Sequence, residues 1–475
     1  MSLNECAIEE LRPLLKKGEV APADIVRDIK YAIERDGENE LPLNAYIHFN
    51  DEVILKESAS FADSDSHLNG TPIGIKDVLN VKGTRTTCAS HILQDYISPY
   101  DATAVTYMRG NGGIPAGKLN MDEFAMGSSN ENSAFSVVRN PHDRNKIPGG
   151  SSGGAASAVA GHLAVAALGS DTGGSIRQPA SMCGVFGIKP TYGRVSRFGL
   201  VAYASSFDQV GPITKTVMDG AILLESISGY DRRDSTSANE EVPRYSLSVG
   251  KSIKNIKIGI PEEYFGEGLE DEVRIRVEEG ISMLREAGAD IRRIRLPYTT
   301  YAVATYYIIA TAEASSNLAR FDGIRYGCRF VRTEDLVELY EENRSRGFGQ
   351  EVKRRILLGT FTLSSGYYDA YYLKAQKART LIREDFNSAL GEVDVIVTPV
   401  SPVPAWDIGE MIDDPLQMYL ADIYTVPVNL AGLPAASVPC GKTSSGLPVG
   451  VQLIAGHFRE EDIFRTARVI EEGGK

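Results

Sequence analysis

The chain has 475 residues, 43% of them hydrophobic, which is enough for a sizeable core, and no apolar run reaches the roughly 18 residues needed to cross a membrane. Its 63 acidic and 50 basic residues leave a net charge of −13, which disfavours broad contact with a phosphate backbone, so any nucleic acid is expected to be held by a partner. The start has neither a basic n-region nor an apolar core, so no signal peptide is expected, and the five cysteines, odd in number, widely spaced and unlike any zinc pattern, read as reduced cytoplasmic thiols.

In chain order, Pro22 starts a helix with Ile25, Val26, Ile29, Ala32 and Ile33 on one face, and strands are predicted at 45–49 and 72–75. Residues 155–167 are strongly apolar, with Val159, Leu163 and Ala166 at helical spacing, and read as a buried helix. Residues 256–260 and 291–296 read as strands on either side of an amphipathic helix, 269–287, that carries Val273, Val277, Ile281 and Leu284. The stretch 301–377 reads as mainly helical, and core strands are predicted at 393–397, 436–439 and 449–454. This is an α/β pattern. No Pro/Ser-rich linker, repeat or charge block divides it, so residues 1–475 are expected to form a single domain.

Two glycine-rich loops carry the chemistry. Pro-Gly-Gly-Ser-Ser-Gly-Gly at 148–154 holds Ser151, and Gly-Ser-Asp-Thr-Gly-Gly-Ser at 169–175 holds Ser175. By composition alone the first string reads as a flexible linker, but the apolar segment after it shows that it opens a buried helix. Neither loop has the Lys-Ser/Thr pair of a phosphate-binding Walker motif. A serine attacks a carbonyl only if a base removes its proton, and the six histidines are scattered outside any catalytic or metal motif. Lys76, at the end of the apolar run Pro-Ile-Gly-Ile-Lys-Asp at 72–77, can replace histidine if burial keeps it neutral. That requires moving its pKa from about 10.4 towards about 7, roughly 4 kcal/mol of differential solvation. The backbone N–H groups of Thr172, Gly173, Gly174 and Ser175 are the natural donors to an oxyanion. A Ser-Ser-Lys hydrolase is the reading these residues give.

The same residues resemble the amidase-signature family. The resemblance rests on Gly-Ile-Lys-Asp at 74–77, on the two serine loops through Ile-Arg-Gln-Pro-Ala at 176–180, and on Gly-Ile-Lys-Pro-Thr-Tyr-Gly-Arg-Val-Ser-Arg-Phe-Gly at 187–199. Within the family it is closer to the glutaminase subunits of tRNA-dependent amidotransferases. The marks of that branch are Asn-Met-Asp-Glu-Phe-Ala-Met-Gly-Ser-Ser at 120–129, Arg-Phe-Asp-Gly-Ile-Arg-Tyr-Gly at 320–327, Glu-Val-Lys-Arg-Arg-Ile-Leu-Leu-Gly-Thr-Phe at 351–361 and Ser-Ser-Gly-Tyr-Tyr-Asp-Ala-Tyr-Tyr at 364–372. One departure is Val78, where many relatives carry asparagine.

The resemblance implies a single large mixed sheet surrounded by helices, with a catalytic core at about 45–230 and 390–465 and a helical pocket region at about 300–380. It implies Ser175 as the acyl-forming nucleophile, Ser151, after a cis peptide bond, as the relay serine, and Lys76 as the base. It assigns Arg355 to the substrate carboxylate, Asp422 to the substrate ammonium, and Ser128 and Tyr306 to the pocket. The expected reaction is hydrolysis of glutamine to glutamate and ammonia. The ammonia would convert glutamyl-tRNA(Gln) to glutaminyl-tRNA(Gln), with aspartyl-tRNA(Asn) to asparaginyl-tRNA(Asn) left open. The expected partners are a larger tRNA-binding protein that activates the tRNA-bound glutamate with ATP and Mg2+, and a small third component. No metal or cofactor is expected in this chain, and no membrane. A free-standing amidase would keep the triad without partners, and a non-catalytic scaffold would have lost Lys76, Ser151 or Ser175, none of which is lost.

Overall fold

Short apolar runs bounded by glycine and proline become the strands of one sheet. In this computed structural model, which describes residues 2–59, 61, 66–411 and 414–474, they are β1 (Tyr46–His48), β2 (Pro72–Lys76), β3 (Ile114–Leu119), β4 (Ala166–Asp171), β5 (Phe186–Lys189), β6 (Gln209–Thr214), β7 (Lys257–Pro261), β8 (Asp290–Ile294), β9 (Val395–Pro399), β10 (Ala435–Lys442) and β11 (Pro448–Ala455). Their order is β1-β3-β2-β4-β6-β5-β10-β11-β9-β7-β8. The sheet is mixed: β2 runs parallel to both β3 and β4, β7 is parallel to β8 and β9, and the other pairs are antiparallel. Every residue of β2, β4, β5, β6, β9 and β11 is buried, so helices cover both faces of the sheet, while the edge strands β1 and β8 are partly exposed. No helix among the described residues is long and apolar enough to cross a membrane.

The helices arise from the expected periodicities. Pro22–Gly37 begins with proline, whose missing N–H has no partner to lose there, and buries Ile25, Val26 and Ile29. Asp271–Glu286 buries Val273, Val277, Ile281 and Leu284. The predicted helix over 155–167 is shorter and is corrected here. It spans Gly153–Ala160, turns at Gly161 and at His162, whose φ is +58°, and the chain then enters β4. Strands β3 to β6 were not predicted, because they are buried on both faces and so lack alternation, and glycine, proline or lysine interrupts their apolar runs.

Because β2 and β4 are parallel neighbours, their last residues, Lys76 and Asp171, emerge at the same edge of the sheet. Asp171 is paired with Arg177, the first residue of the helix Arg177–Cys183, and both are fully buried. Arg177 Nε and Nη2 donate to the two Asp171 oxygens, each at 3.0 Å. Its Nη1 donates to Gln452 Oε1 on β11 at 2.6 Å and to the Thr425 carbonyl at 3.1 Å, and its Nη2 also donates to Asn429 Oδ1 at 2.5 Å. Removing one partner of such a pair strands a buried charge. Arg177→Ala is therefore expected to destabilise the protein by about 3–5 kcal/mol, read from the urea unfolding midpoint, and a shift of under about 1 kcal/mol would contradict this account of the network.

Candidate active site

Lys76 ends β2 with its amine enclosed: Nζ lies 2.8 Å from Ser151 Oγ, 2.8 Å from Ser152 Oγ, 3.0 Å from Ser170 Oγ and 3.4 Å from the Ser170 carbonyl. Burial brings its pKa down to about 7, against the opposing pull of Asp122, Asp171 and Asp208. The neutral amine has two N–H groups and one lone pair. Ser152 Oγ donates its own proton to the Ser170 carbonyl at 3.0 Å, so towards Lys76 it can only accept. With one amine proton on Ser152, the hydroxyls of Ser151 and Ser170 remain, one to take the second proton and the other to meet the lone pair. A neutral Lys76 is thus within reach of the Ser151 proton, as the role expected of it requires.

The two serine loops are fastened to each other and to the sheet. Gly150–Ser151 is a cis peptide, the Gly150 N–H donates to Gln178 Oε1 at 2.8 Å, and the Asp122 N–H donates to the Ser151 carbonyl at 3.2 Å. The Ser152 N–H donates to the Ser175 carbonyl at 3.1 Å, which joins the loops directly. Ser175 is 7% exposed, whereas Lys76 and Ser151 are 0% exposed, so of the three only Ser175 can be reached from outside.

Burial works against charge on Asp171, but Arg177, Lys189 and Asn429 together hold its carboxyl well below the usual range. As an anion it accepts the N–H groups of Gly174 at 2.9 Å and Ile176 at 3.2 Å, setting the curve of the loop that carries Ser175. The expectation for the oxyanion donors is corrected on this point. The Gly174 N–H already has an acceptor, which leaves those of Thr172, Gly173 and Ser175, whereas the Thr172 hydroxyl donates to Asp208 Oδ1 at 2.7 Å. At Gly174, φ is +134° and a Cβ would lie 2.3 Å from Thr425 Oγ1, so only glycine fits.

Of the residues expected to hold the substrate, Tyr306 lies against this loop. A Cβ on Gly173 would lie 2.7 Å from the Tyr306 ring, so the tyrosine, on the helix Ala302–Leu318, packs directly against the loop. Ser128 donates to Asp422 Oδ2 at 2.5 Å, and burial pushes the Asp422 carboxyl up to about 7 against that bond and the nearby Arg355. Arg355, on the helix Gln350–Leu363, donates from Nε to Glu351 Oε1 at 2.8 Å and from Nη1 to the Tyr203 hydroxyl at 2.7 Å. Its guanidinium carbon lies 5.2 to 5.6 Å from the ring centres of Tyr203, Tyr307 and Tyr419. Its Nη2 has no acceptor among the described residues. A cavity of about 570 Å³ borders Arg355, Glu351 and Tyr419, and Lys76, Ser151 and Ser175 do not line it.

Sequence reasoning missed Ser152 and Ser170, which hold the amine, and Glu351, Tyr203, Tyr307 and Tyr419, which surround Arg355. Ser152 and Ser170 were visible as neighbours of the named serines. Tyr203 comes from 152 positions away in the chain and left no local signal.

A buried lysine beside two loop serines, on a mixed sheet with helices on both faces, defines a class of serine amidohydrolase. Residues 29–464 match the family model described as Amidase, and the chain belongs to that family, the amidase-signature enzymes. It is 56% identical to a glutamyl-tRNA(Gln) amidotransferase subunit of Thermodesulfovibrio yellowstonii over 99% of this chain and 98% of that one. Identity to the protein of the same name from Geobacillus thermodenitrificans is 54%, over 99% and 98%. Among solved structures, the Thermotoga maritima protein of that name superposes with a TM-score of 0.82 at 45% identity, covering 99% of this chain and 95% of that chain. The peptide amidase of Stenotrophomonas maltophilia superposes with a TM-score of 0.82 at 26% identity, covering 98% and 96%.

With Lys76 protonated below about pH 7, amide hydrolysis should rise through that pH and level off above it. Asp422 titrates in the same range, but it matters only for a substrate with an ammonium. The acid limb should therefore persist with a small neutral amide such as propionamide, and a flat kcat/KM for that amide between about pH 6 and about pH 8 would remove Lys76 as the base.

Proposed function

We propose that this chain is the glutaminase of a tRNA-dependent amidotransferase, acting in the cytoplasm on glutamine. The observation that carries the reading is the pairing of a Ser-Ser-Lys site with two buried groups of opposite sign. Lys76 lies 2.8 Å from Ser151 in the first, and Arg355 and Asp422 form the second, suited to an amino acid's carboxylate and ammonium.

Lys76 takes the proton of Ser151, Ser151 takes that of Ser175, and Ser175 Oγ bonds to the side-chain amide carbon of glutamine. The N–H groups of Thr172, Gly173 and Ser175 meet the oxyanion. Collapse breaks the C–N bond, and Lys76, through Ser151, returns the proton to the departing nitrogen, giving ammonia and a γ-glutamyl ester. Water, deprotonated through the same relay, then cleaves the ester to glutamate and restores Ser175.

The destination of the ammonia is read from the relatives, which are named as subunits of an enzyme acting on glutamyl-tRNA(Gln). A larger partner would hold the tRNA and activate its glutamate with ATP and Mg2+, and a small third protein would complete the complex. The net charge of −13 agrees with leaving the tRNA to the partner.

Ser175→Ala should abolish ammonia release, and Lys76→Ala or Ser151→Ala should cut it by about a thousandfold or more, because the three act as a unit. Near-normal turnover by Ser175→Ala would end the nucleophile assignment. Arg355→Lys should raise KM for glutamine steeply, since one ammonium cannot reproduce the guanidinium fork, and an unchanged KM would favour a free-standing amidase. Glutaminase rates of the chain alone and with its partners, ATP and glutamyl-tRNA(Gln) test the assembly. A rate indifferent to all of them would remove the amidotransferase role.

A further inference from the structure

Glu123 plays no part in the steps above, yet it is 2% exposed and borders the same cavity as Arg355. Its Oε2 accepts the N–H of Gly349, the residue that caps the helix Gln350–Leu363, at 2.8 Å. Its Oε1 accepts the hydroxyl proton of Ser90, and Ser90 Oγ also lies 3.1 Å from the Gly347 carbonyl. Its own N–H donates to the Asn132 carbonyl at 3.3 Å, while its neighbour Asp122 accepts the N–H groups of Asn130 at 2.9 Å and Asn132 at 3.1 Å. The segment 122–132 is thus closed into a rigid loop, and Ser128, which binds Asp422, lies within it. One carboxylate therefore joins the loop that carries the ammonium end of the pocket to the first turn of the helix that carries the carboxylate end.

We propose that Glu123 is a positioning residue that sets the span between Arg355 and the Ser128–Asp422 pair, and with it the selectivity for an amide bearing both an α-carboxylate and an α-ammonium. The proposal rests on the roles given to Arg355 and Asp422 above.

Two substitutions cut the link from opposite sides. Glu123→Ala leaves the Gly349 N–H without its acceptor. Gly349→Ala keeps the carboxylate, and its φ of −70° suits alanine, but the new Cβ would lie 2.4 Å from Glu123 Oε2 and push it away. Glu123→Gln should restore the link, because its Oε1 can accept from Gly349 while its Nε2 donates to Ser90 Oγ, whose proton turns to the Gly347 carbonyl. Burial pushes the Glu123 carboxyl up to about 7, and the protonated acid makes the same pair of contacts.

In the assembled enzyme, Glu123→Ala and Gly349→Ala should each raise KM for glutamine by about tenfold or more. Each should leave kcat for glutamine and kcat/KM for propionamide within about threefold, and the double variant should be no worse than either single one. Glu123→Gln should return KM to within about threefold of the parent. Gly349→Ala keeps the test decisive if Glu123→Ala fails to fold. Equal losses on glutamine and propionamide would show a merely structural role and overturn the proposal, as would an unchanged KM in Gly349→Ala while Arg355→Lys raises it. If Arg355→Lys itself leaves KM unchanged, the amino-acid pocket fails and the inference falls with it.

Discussion

The site depends on the bidentate pair between Asp171 and Arg177. Asp171 ends β4 one strand away from Lys76, and from there it holds the Gly174 and Ile176 amides and so fixes the loop that presents Ser175. The same pair bears on the electrostatics: Arg177 helps to keep Asp171 ionised, and the Asp171 charge, with those of Asp122 and Asp208, opposes the downward shift that burial gives Lys76. Because Arg177 also reaches Gln452 and Asn429, loop shape is tied to the packing of β11 and of the helix Val426–Ala431 against the sheet.

Burial alone does not make a lysine a base, as a second buried lysine shows. Lys189, at the end of β5, is also pushed down to about 7 by burial, but among the described residues its Nζ donates only to the Pro190 carbonyl, at 2.8 Å, and no hydroxyl bonds to it. Lys76 has three hydroxyls within 3.0 Å, and since Ser152 spends its proton on the Ser170 carbonyl, Ser151 and Ser170 remain to meet its lone pair. The difference between the two lysines is one of neighbours and not of burial.

Much of this was legible in the sequence for local reasons. The serine loops, the strand ending at Lys76 and the helices with a 3.6-residue period are written in adjacent residues. The four central strands were not, because a strand buried on both faces has no alternation to read, as in Gln-Val-Gly-Pro-Ile-Thr of β6. The loop donors were overcounted for a related reason. Sequence spacing shows which amides could face an oxyanion, but not that Asp171 folds back to take the one at Gly174. The surroundings of Arg355 were least visible, since its tyrosines come from three separate segments. Its partner Glu351, four residues earlier on the same helix, has the spacing of a surface ion pair, and only the structure shows it to be mostly buried.

On the role proposed for Arg355, the tyrosine rings around it also bear on which molecules the enzyme turns away. A guanidinium already stripped of water and held by Glu351 and Tyr203 has its remaining N–H groups aimed at a space that an uncharged side chain would fill without satisfying them. An amide of the right size but without a carboxylate would seal in N–H groups that have no acceptor, and would bear the penalty at each encounter. Exclusion of this kind works through unmet hydrogen bonds, which discriminate more strongly than a missing methylene in an apolar pocket. An enzyme working among the many amides of a cell could thus stay idle towards most of them without a physical barrier at its entrance.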